Sequence, residues 1–318
     1  MANTRLSRAC DAAFLGLPKE VKIWLNEKSV RNKTSNNVTI GKYVMSDYRE
    51  HIEDSKKSIV SFSGGKDSTA LLLMMLERGM KIDYILFCDT GMEFPQMYEH
   101  IERVNAYIGE KYGKMVTVLK AKHSFEYGLL HILRKKGKRA GMHGYGWSSM
   151  RNRWCTSMLK REPVQEFMKA HGFNRANTKL YIGIAADEPK RVKDDIYPLF
   201  EWGITEEQAL QYCYKHGFDW GGLYKERTRL SCWICPMQGV RDLKLLYRDF
   251  PELWAELKRL NDGVIHNNKE EYQGILYEFK QMKSTDNTLA QWEERFKKEI
   301  EFEKRETSLF SEALRKEQ

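Results

Sequence analysis

Six consecutive residues, Ser63-Gly64-Gly65-Lys66-Asp67-Ser68, combine the groups that a phosphate needs. The glycines permit close backbone approach and positive φ. Ser63 and Ser68 carry hydroxyl donors, and Lys66 adds a full positive charge. A β-prone run, Ser58 to Phe62, precedes the loop, and strong helix formers follow it from Lys66 to Arg78. The loop therefore ends on a helix N-terminus, whose free N–H groups and partial positive charge attract anions. Its spacing is not the Walker pattern, which needs four residues between Gly and Gly-Lys-Ser/Thr. Ser61, Ser63, Gly64, Gly65, Lys66, Asp67 and Ser68 are the phosphate-binding candidates. Asp67 and Asp89 are carboxylates placed to complete the shell of a phosphate-bridging Mg2+, so Lys66, Asp67 and Asp89 are the catalytic candidates. The two aspartates would equally serve as a helix N-terminal carboxylate and a turn cap.

A second set of groups is sulfur. Cys232-Trp-Ile-Cys235-Pro236 is a two-residue-spaced pair, and Cys155 lies in Arg153-Trp154-Cys155-Thr156. Spacing alone admits zinc, a redox disulfide or an iron–sulfur cluster. Zinc would want a fourth ligand, for which His143 and Cys213 are candidates. Cys88, inside a predicted strand, reads as a small buried hydrophobe, and Cys10 and Cys213 as incidental.

Charge is the third feature. The net charge of the chain is +9, and Arg134 to Arg161 holds nine basic residues and no acidic one. Lys135, Lys136, Lys138, Arg139, Arg151 and Arg153 alternate there with glycines and with Tyr145, Trp147 and Trp154. Cations, flexible backbone and stacking surfaces together suit a nucleic acid. The same run also suits a solvated loop or a grip on a nucleotide or sulfate-sized anion.

The elements that must position these groups alternate. Predicted strands at 58–62, 82–87, 115–119 and 180–184 are separated by helices at 66–78, 95–108 and 160–171. This pattern predicts an α/β fold: a parallel twisted sheet with helices on both faces. Beyond Glu201 the sequence turns helical (205–216, 239–247, 251–261, 270–283, 289–305). The expected organisation is a helical appendage and linker over 1–50 (with a helix at Phe14–Glu27), a nucleotide-binding catalytic domain over 51–250, and a helical region over 251–318. The 42% hydrophobic and 31% charged composition fits a globular chain rather than a disordered one. With no long apolar run and no signal-peptide pattern, the expectation is a cytoplasmic protein without a membrane partner.

The phosphate loop resembles the PP-loop of the adenine nucleotide α-hydrolase superfamily, and residues 55–250 resemble its phosphoadenosine phosphosulfate (PAPS) reductase family. Asp89-Thr90-Gly91-Met-Glu93-Phe94-Pro95 is similar to that family's strand-end segment, and Gly183-Ile-Ala-Ala-Asp187-Glu188-Pro189-Lys190-Arg191 to a third. The resemblance implies ATP as the nucleotide, with Gly183 and Arg191 beside it and Glu188 as a contact or as Arg191's partner. Two departures from the reductases stand out. Their tail cysteine has no counterpart in the closing Ala313-Leu-Arg-Lys-Glu-Gln318, and Ala185 stands where a sulfate-gripping arginine is expected. A complete SGGKDS loop is typical of members that cleave ATP between its α- and β-phosphates. One cysteine followed some 77 residues later by Cys-x-x-Cys is similar to the 4Fe-4S sites of ATP-dependent tRNA thiolases and the DNA phosphorothioation ATPase. The implied activity is AMP-forming adenylation and thiolation of a nucleic acid, DNA or tRNA. Cys155, Cys232 and Cys235 would hold a 4Fe-4S cluster (alternatively zinc), and a sulfur-donor protein and a second copy of the chain are further candidate partners. PAPS reduction, and nucleotide sensing by a nucleic-acid-binding regulator without turnover, are the alternatives.

Overall fold

The computed structural model describes residues 55–137, 140–268 and 288–316. The expected Phe14–Glu27 helix, the 270–283 helix and the cations Lys138 and Arg139 lie outside the described residues. The chain divides into two compact units at Lys56, and the sheet and its helices belong to the second, Lys57–Gln318.

Four strands, β1 (Lys57–Ser61), β2 (Tyr84–Asp89), β3 (Val116–Lys120) and β4 (Thr178–Ile182), form a parallel sheet in the order β3-β2-β1-β4. Helix α1 (Lys66–Glu77) links β1 to β2, and α2 (Pro95–Tyr112) links β2 to β3. The path from β3 back to β4 runs through α3 (Glu162–Ala170), which packs on β2 and β3. Right-handed crossovers place α1 and α2 on one face and α3 on the other. Both faces of the sheet are thus covered, and the strands read as apolar runs (Ile59, Val60; Ile85, Leu86, Phe87, all at most 5% exposed). Strand order reverses beside β1, with β2 on one side and β4 on the other. Open parallel sheets bind ligands in the crevice beyond the carboxyl ends of their strands at such a point.

The strand boundaries differ from the sequence pattern by one or two residues. The clearest case is β2, which starts at Tyr84 rather than Ile82 because Asp83 is occupied in a turn. Its backbone N–H bonds Ser58 O at 2.8 Å, and its carboxylate accepts from Ser58 N at 2.8 Å and Lys57 Nζ at 3.2 Å. Beyond the sheet come α4 (Pro198–Glu201), α5 (Glu206–Lys215), a 3-10 segment (Trp220–Lys225), α6 (Val240–Asp249), α7 (Pro251–Asn268) and α8 (Leu289–Lys316). Helix α5 packs on α1 and opens with a capping box, Thr205 bonded reciprocally with Gln208. Helix α7 packs against a π-helical turn at Tyr127–His131, and α6 bears on both α7 and α8. Among the described residues no helix is long and apolar enough to cross a membrane.

Candidate active site at the carboxyl edge of the sheet

The phosphate loop leaves β1 and enters α1 as the sequence predicts, and it is held from four directions. Gly64 takes φ +77, and a Cβ there would lie 2.8 Å from Met97 Sδ on α2. Behind the loop Trp220 Nε1 donates to Gly64 O at 2.7 Å. Trp220 itself has φ 53, a left-handed conformation that costs energy for a bulky residue. It is fixed by stacking on His100 at 4.2 Å, whose Nε2 pairs with Thr69 Oγ1 at 3.1 Å. The Lys66 N–H, at the helix start, donates to the Tyr224 hydroxyl at 3.0 Å. Within the loop, Ser68 Oγ accepts from Ser63 N at 3.1 Å and donates to Gly65 O at 3.0 Å. The fourth support is Gly183, just past β4: a Cβ there would lie 2.8 Å from the backbone of Asp67 and Ser68. Only glycine lets the end of β4 close on the loop this tightly.

Lys66 is buried, 5% exposed, and its Nζ contacts Glu206 Oε2 at 2.5 Å and Asp67 Oδ2 at 3.3 Å. Asp67 Oδ1 is buried with no hydrogen-bond partner. Burial, only partly offset by Lys66, pushes the Asp67 carboxyl up to about 6. An unpaired buried oxygen is costly in water's absence and is the kind of group a cation or a ligand donor satisfies. Across the crevice Arg191 Nη1 donates to both Glu188 oxygens, at 2.7 and 2.5 Å. The Glu188 pairing holds the guanidinium firmly charged, with Asp67 and Glu206 adding to the effect. Asp187 Oδ1 accepts from Glu206 N at 3.0 Å, tying this segment to the start of α5. Ser61 is exposed at the end of β1. Ala185, where the resemblance expects an arginine, is wholly buried.

One strand over, Asp89 ends β2. Its Oδ1 accepts from Gly91 N and from the Tyr98 hydroxyl, both at 2.9 Å, and Lys120 Nζ lies 3.5 Å from Oδ2. The turn after Asp89 receives the cysteine pair. Thr90 Oγ1 donates to Glu93 Oε1 at 2.9 Å, Cys232 Sγ lies 3.5 Å from both, and Trp233 N donates to Met92 O at 3.0 Å. Cys155 sits in a short helix (Trp154–Thr156) continued by a π turn, Ser157–Arg161, so helix begins well before the expected 160. That turn brings Lys160 to face Cys232, Glu93, Cys88 and Cys155. Desolvation works against the Lys160 charge, but those four groups outweigh it and hold the ammonium above its ordinary value. Desolvation, reinforced by Glu93, pushes the Cys232 thiol up to about 12; desolvation, with Cys155 adding to it, raises Cys235 as well. Cys155, Cys232 and Cys235 thus share one charged neighbourhood. Among the described residues, however, no three Cys, His, Asp or Glu side chains stand close enough to hold one metal ion.

Two cysteine readings are corrected. Cys88 is half-buried rather than a core residue: it lies at the crevice end of β2, and its Sγ donates to Lys160 O at 3.5 Å. Cys213 is neither incidental nor a fourth ligand. It is buried on α5 behind the loop, donating to Lys66 O at 3.5 Å. His143 is exposed and engaged elsewhere, its Nδ1 3.1 Å from His131 O.

Lys135, Lys136, Arg151 and Arg153 are all exposed. The segment that carries them is braced from the C-terminal helices: Trp147 Nε1 donates to Asn261 Oδ1 at 3.0 Å, and Asn267 Nδ2 to Leu130 O at 2.7 Å. Sequence reasoning missed Tyr224, Trp220 and Glu206, which meet the loop across some 140–158 residues of chain. It also missed Lys160 and Glu93, although Glu93 stands within the strand-end motif.

Residues 57–238 match the phosphoadenosine phosphosulfate reductase domain family. An uncharacterized nin region protein of Escherichia phage lambda, ORF290, is 32% identical over 241 residues, 69% of this chain and 80% of its own length. Two uncharacterized proteins of Methanocaldococcus jannaschii are 27% and 25% identical over 63% and 68% of this chain. The chain spans only 40% and 51% of the length of those two relatives. Among solved structures, the U34-tRNA thiolase NcsA from Methanococcus maripaludis with its [4Fe-4S] cluster aligns over 72% of this chain and 80% of its own, at 14% identity and a TM-score of 0.34, a distant likeness.

Proposed function

The chain belongs to the phosphoadenosine phosphosulfate reductase domain family, and from that premise we propose that it is an ATP-using, AMP-forming sulfurtransferase that acts on a nucleic acid. The observation that carries the reading is the complete phosphate loop: it enters α1 at the switch point with the Lys66 ammonium held between Asp67 and Glu206, and the Cys232 thiol stands against the turn after the adjacent strand. In the first step an acceptor oxygen attacks the α-phosphorus of ATP, and the bond to the β-phosphate breaks. Pyrophosphate leaves, its growing charge met by Lys66 and the loop N–H groups. In the second step a sulfide-level sulfur displaces AMP, which departs with the acceptor oxygen. The sum is ATP, acceptor oxygen and sulfide giving AMP, pyrophosphate and acceptor sulfur, with no net oxidation.

Asp67, with its unpartnered Oδ1, and Asp89 are the residues that would hold Mg2+, which would neutralise the phosphates when bound. Cys155, Cys232 and Cys235, around the Lys160 cation, are the soft donors that would hold a 4Fe-4S cluster, one thiol to an iron, and a cluster would supply the sulfide; they stand too far apart to share a single zinc ion. Lys160 would balance the charge of thiolates that bind such a cluster.

Release of AMP and pyrophosphate, and not ADP, from ATP tests the first step. Iron and sulfide analysis of anaerobically purified protein tests the second; a colourless protein with stoichiometric zinc rejects the cluster. The family's name favours one competing reading, reduction of a sulfonucleotide. It predicts thiol-dependent sulfite release from PAPS, and the buried Ala185 counts against it.

A further inference from the structure

A cavity of about 820 Å³ opens beyond the carboxyl end of β3, outside the phosphate crevice, lined by His123, Tyr127, Leu133, Lys135, Lys136 and Tyr145 among others. This volume lies within the roughly 300–1,000 Å³ of small-molecule sites. Its wall is aromatic and its rim is cationic. His123 and Tyr127 stack at 4.2 Å with an interplanar angle of 17°, a two-ring platform already assembled. Tyr127 remains 36% exposed, so the platform is not used up by core packing. Tyr145, also in the lining, is backed by Trp154 at 5.5 Å and carries the Arg134 guanidinium 5.9 Å from its ring centre. Lys135 and Lys136 are exposed at the rim.

We infer that this cavity receives one unpaired nucleotide of the nucleic-acid acceptor, its base stacking on the His123–Tyr127 platform and its flanking phosphates meeting Lys135 and Lys136. The inference rests on the nucleic-acid reading above and narrows it to single-stranded or extruded acceptor. Stacking requires an unstacked base, and a base within a duplex offers no free face. The location fits: Tyr145 packs on Trp154, and the next residue is Cys155. The cavity wall is thereby joined through Trp154 to the short helix that carries Cys155. A site for phosphate alone would not need the rings, whereas a nucleotide uses both the rings and the lysines.

The test uses the full-length protein and fluorescein-labelled 12-mer oligonucleotides, single-stranded and duplex, read by anisotropy. Single strands should bind at least about tenfold more tightly than duplex. Tyr127→Ala should weaken single-strand binding about tenfold, while Tyr127→Phe, which keeps the ring, should stay within about twofold of the parent. Lys135→Ala with Lys136→Ala should lower the slope of log affinity against log salt by about 1.4, at roughly 0.7 for each single-strand phosphate contact. Equal binding of duplex, no loss in Tyr127→Ala with its melting temperature retained, or equal loss in both Tyr127 variants overturns the inference. So does stoichiometric displacement of the strand by ATP alone, which would make the cavity part of the ATP site. Lys66→Ala separates the two readings. If the parent protein never cleaves ATP but binds single strands through Tyr127, and that binding persists in Lys66→Ala, the cavity assignment stands and the adenylation reading falls. If ATP is cleaved to AMP without ring-dependent binding, the reverse holds.

Discussion

The phosphate loop and the cysteine pair stand at the ends of neighbouring strands, β1 and β2, but they are held by different kinds of contact. Around the loop, strong donors and acceptors meet at ordinary hydrogen-bond distances: Trp220 Nε1 to Gly64 O at 2.7 Å, Lys66 N to Tyr224 Oη at 3.0 Å and Lys66 Nζ to Glu206 at 2.5 Å. Around the cysteines the backbone is tied by Trp233 N to Met92 O at 3.0 Å, but the thiols themselves make only sulfur contacts of 3.5 Å, Cys232 to Thr90 and Glu93 and Cys88 to the Lys160 carbonyl, and the nearby cations Arg151 and Arg153 face solvent. The first region is prearranged to meet charge as it develops, which is where preorganised donors contribute most to catalysis. The second is softer in its chemistry: its thiols make longer, weaker contacts, and its exposed cations leave surface that a partner could meet. Under the proposed function, nucleotide chemistry falls to the first, stiff half and acceptor and sulfur handling to the second, soft half.

The largest effect should come from removing the charge at the centre of the stiff half. Lys66→Ala should lower the rate of AMP and pyrophosphate formation by about 10²–10³-fold, the cost of deleting one preorganised donor to a developing anion. Asp67 and Glu206 would then face the phosphates without their cation. Steady-state assay at saturating ATP decides it. A loss under about tenfold would mean that the loop only binds, and the comparison would collapse.

Asp67 offers the next test, on stability. Burial raises its carboxyl from 3.8 to about 6 in the folded protein. Between those values the folded state binds the proton that the unfolded chain has released, so stability falls as pH rises through this window. The penalty is absent below pH 3.8, complete above about 6, and on the order of 3 kcal/mol in the ligand-free protein. Asp67→Asn should flatten the slope of unfolding free energy across that window, from pH 3.8 to about 6. A slope equal to the parent's would show that the site is more solvated than its geometry implies.

How much of this was legible in the sequence follows the same division. The loop and Asp89 could be read because each is a local signal, glycines between a strand end and a helix start and a strand-terminal carboxylate, whereas Gly183 came only through the family resemblance. The parallel sheet was legible because apolar runs alternated with helical ones. What could not be read is pairing across long chain separations. Nothing near Tyr224 announces that its hydroxyl accepts the Lys66 N–H 158 residues away. Cys213 has the spacing of a bystander, and only the docking of α5 on α1 puts its thiol on Lys66 O. Cys88 alternates as a core residue would, but it sits where β2 opens to the crevice. Lys160 counted as one more cation of a basic run until the π turn brought it to face the thiols.

Tyr224→Phe sharpens the comparison at a smaller scale. It keeps the ring, which is buried and packs edge-on against Trp220 at 4.8 Å, and removes only the acceptor of the Lys66 N–H. A buried donor left unpaired costs about 1–3 kcal/mol. Denaturant unfolding should show that loss, with the affinity for ATP falling alongside it because the loop's first helical turn loses its anchor. Unchanged stability would show that water replaces the hydroxyl and that the loop is less sealed than its hydrogen bonds suggest.

The smallest structural effect is expected in the soft half. Arg151 and Arg153 are exposed, and the hydrogen bond found for Arg153 is to Met150 Sδ, 3.3 Å away. Arg151→Ala with Arg153→Ala should therefore leave unfolding free energy within about 0.5 kcal/mol of the parent, the usual range for surface substitutions. The pair should still register in binding: if both arginines meet phosphates, the salt slope for single strands falls by about 1.4. Stability and nucleic-acid affinity would then be separable on this side, whereas at Lys66 and Tyr224 stability and nucleotide binding depend on the same hydrogen bonds. A stability loss of about 2 kcal/mol or more from the double variant would erase the distinction, because it would place these arginines in a structural network like the one that surrounds the loop.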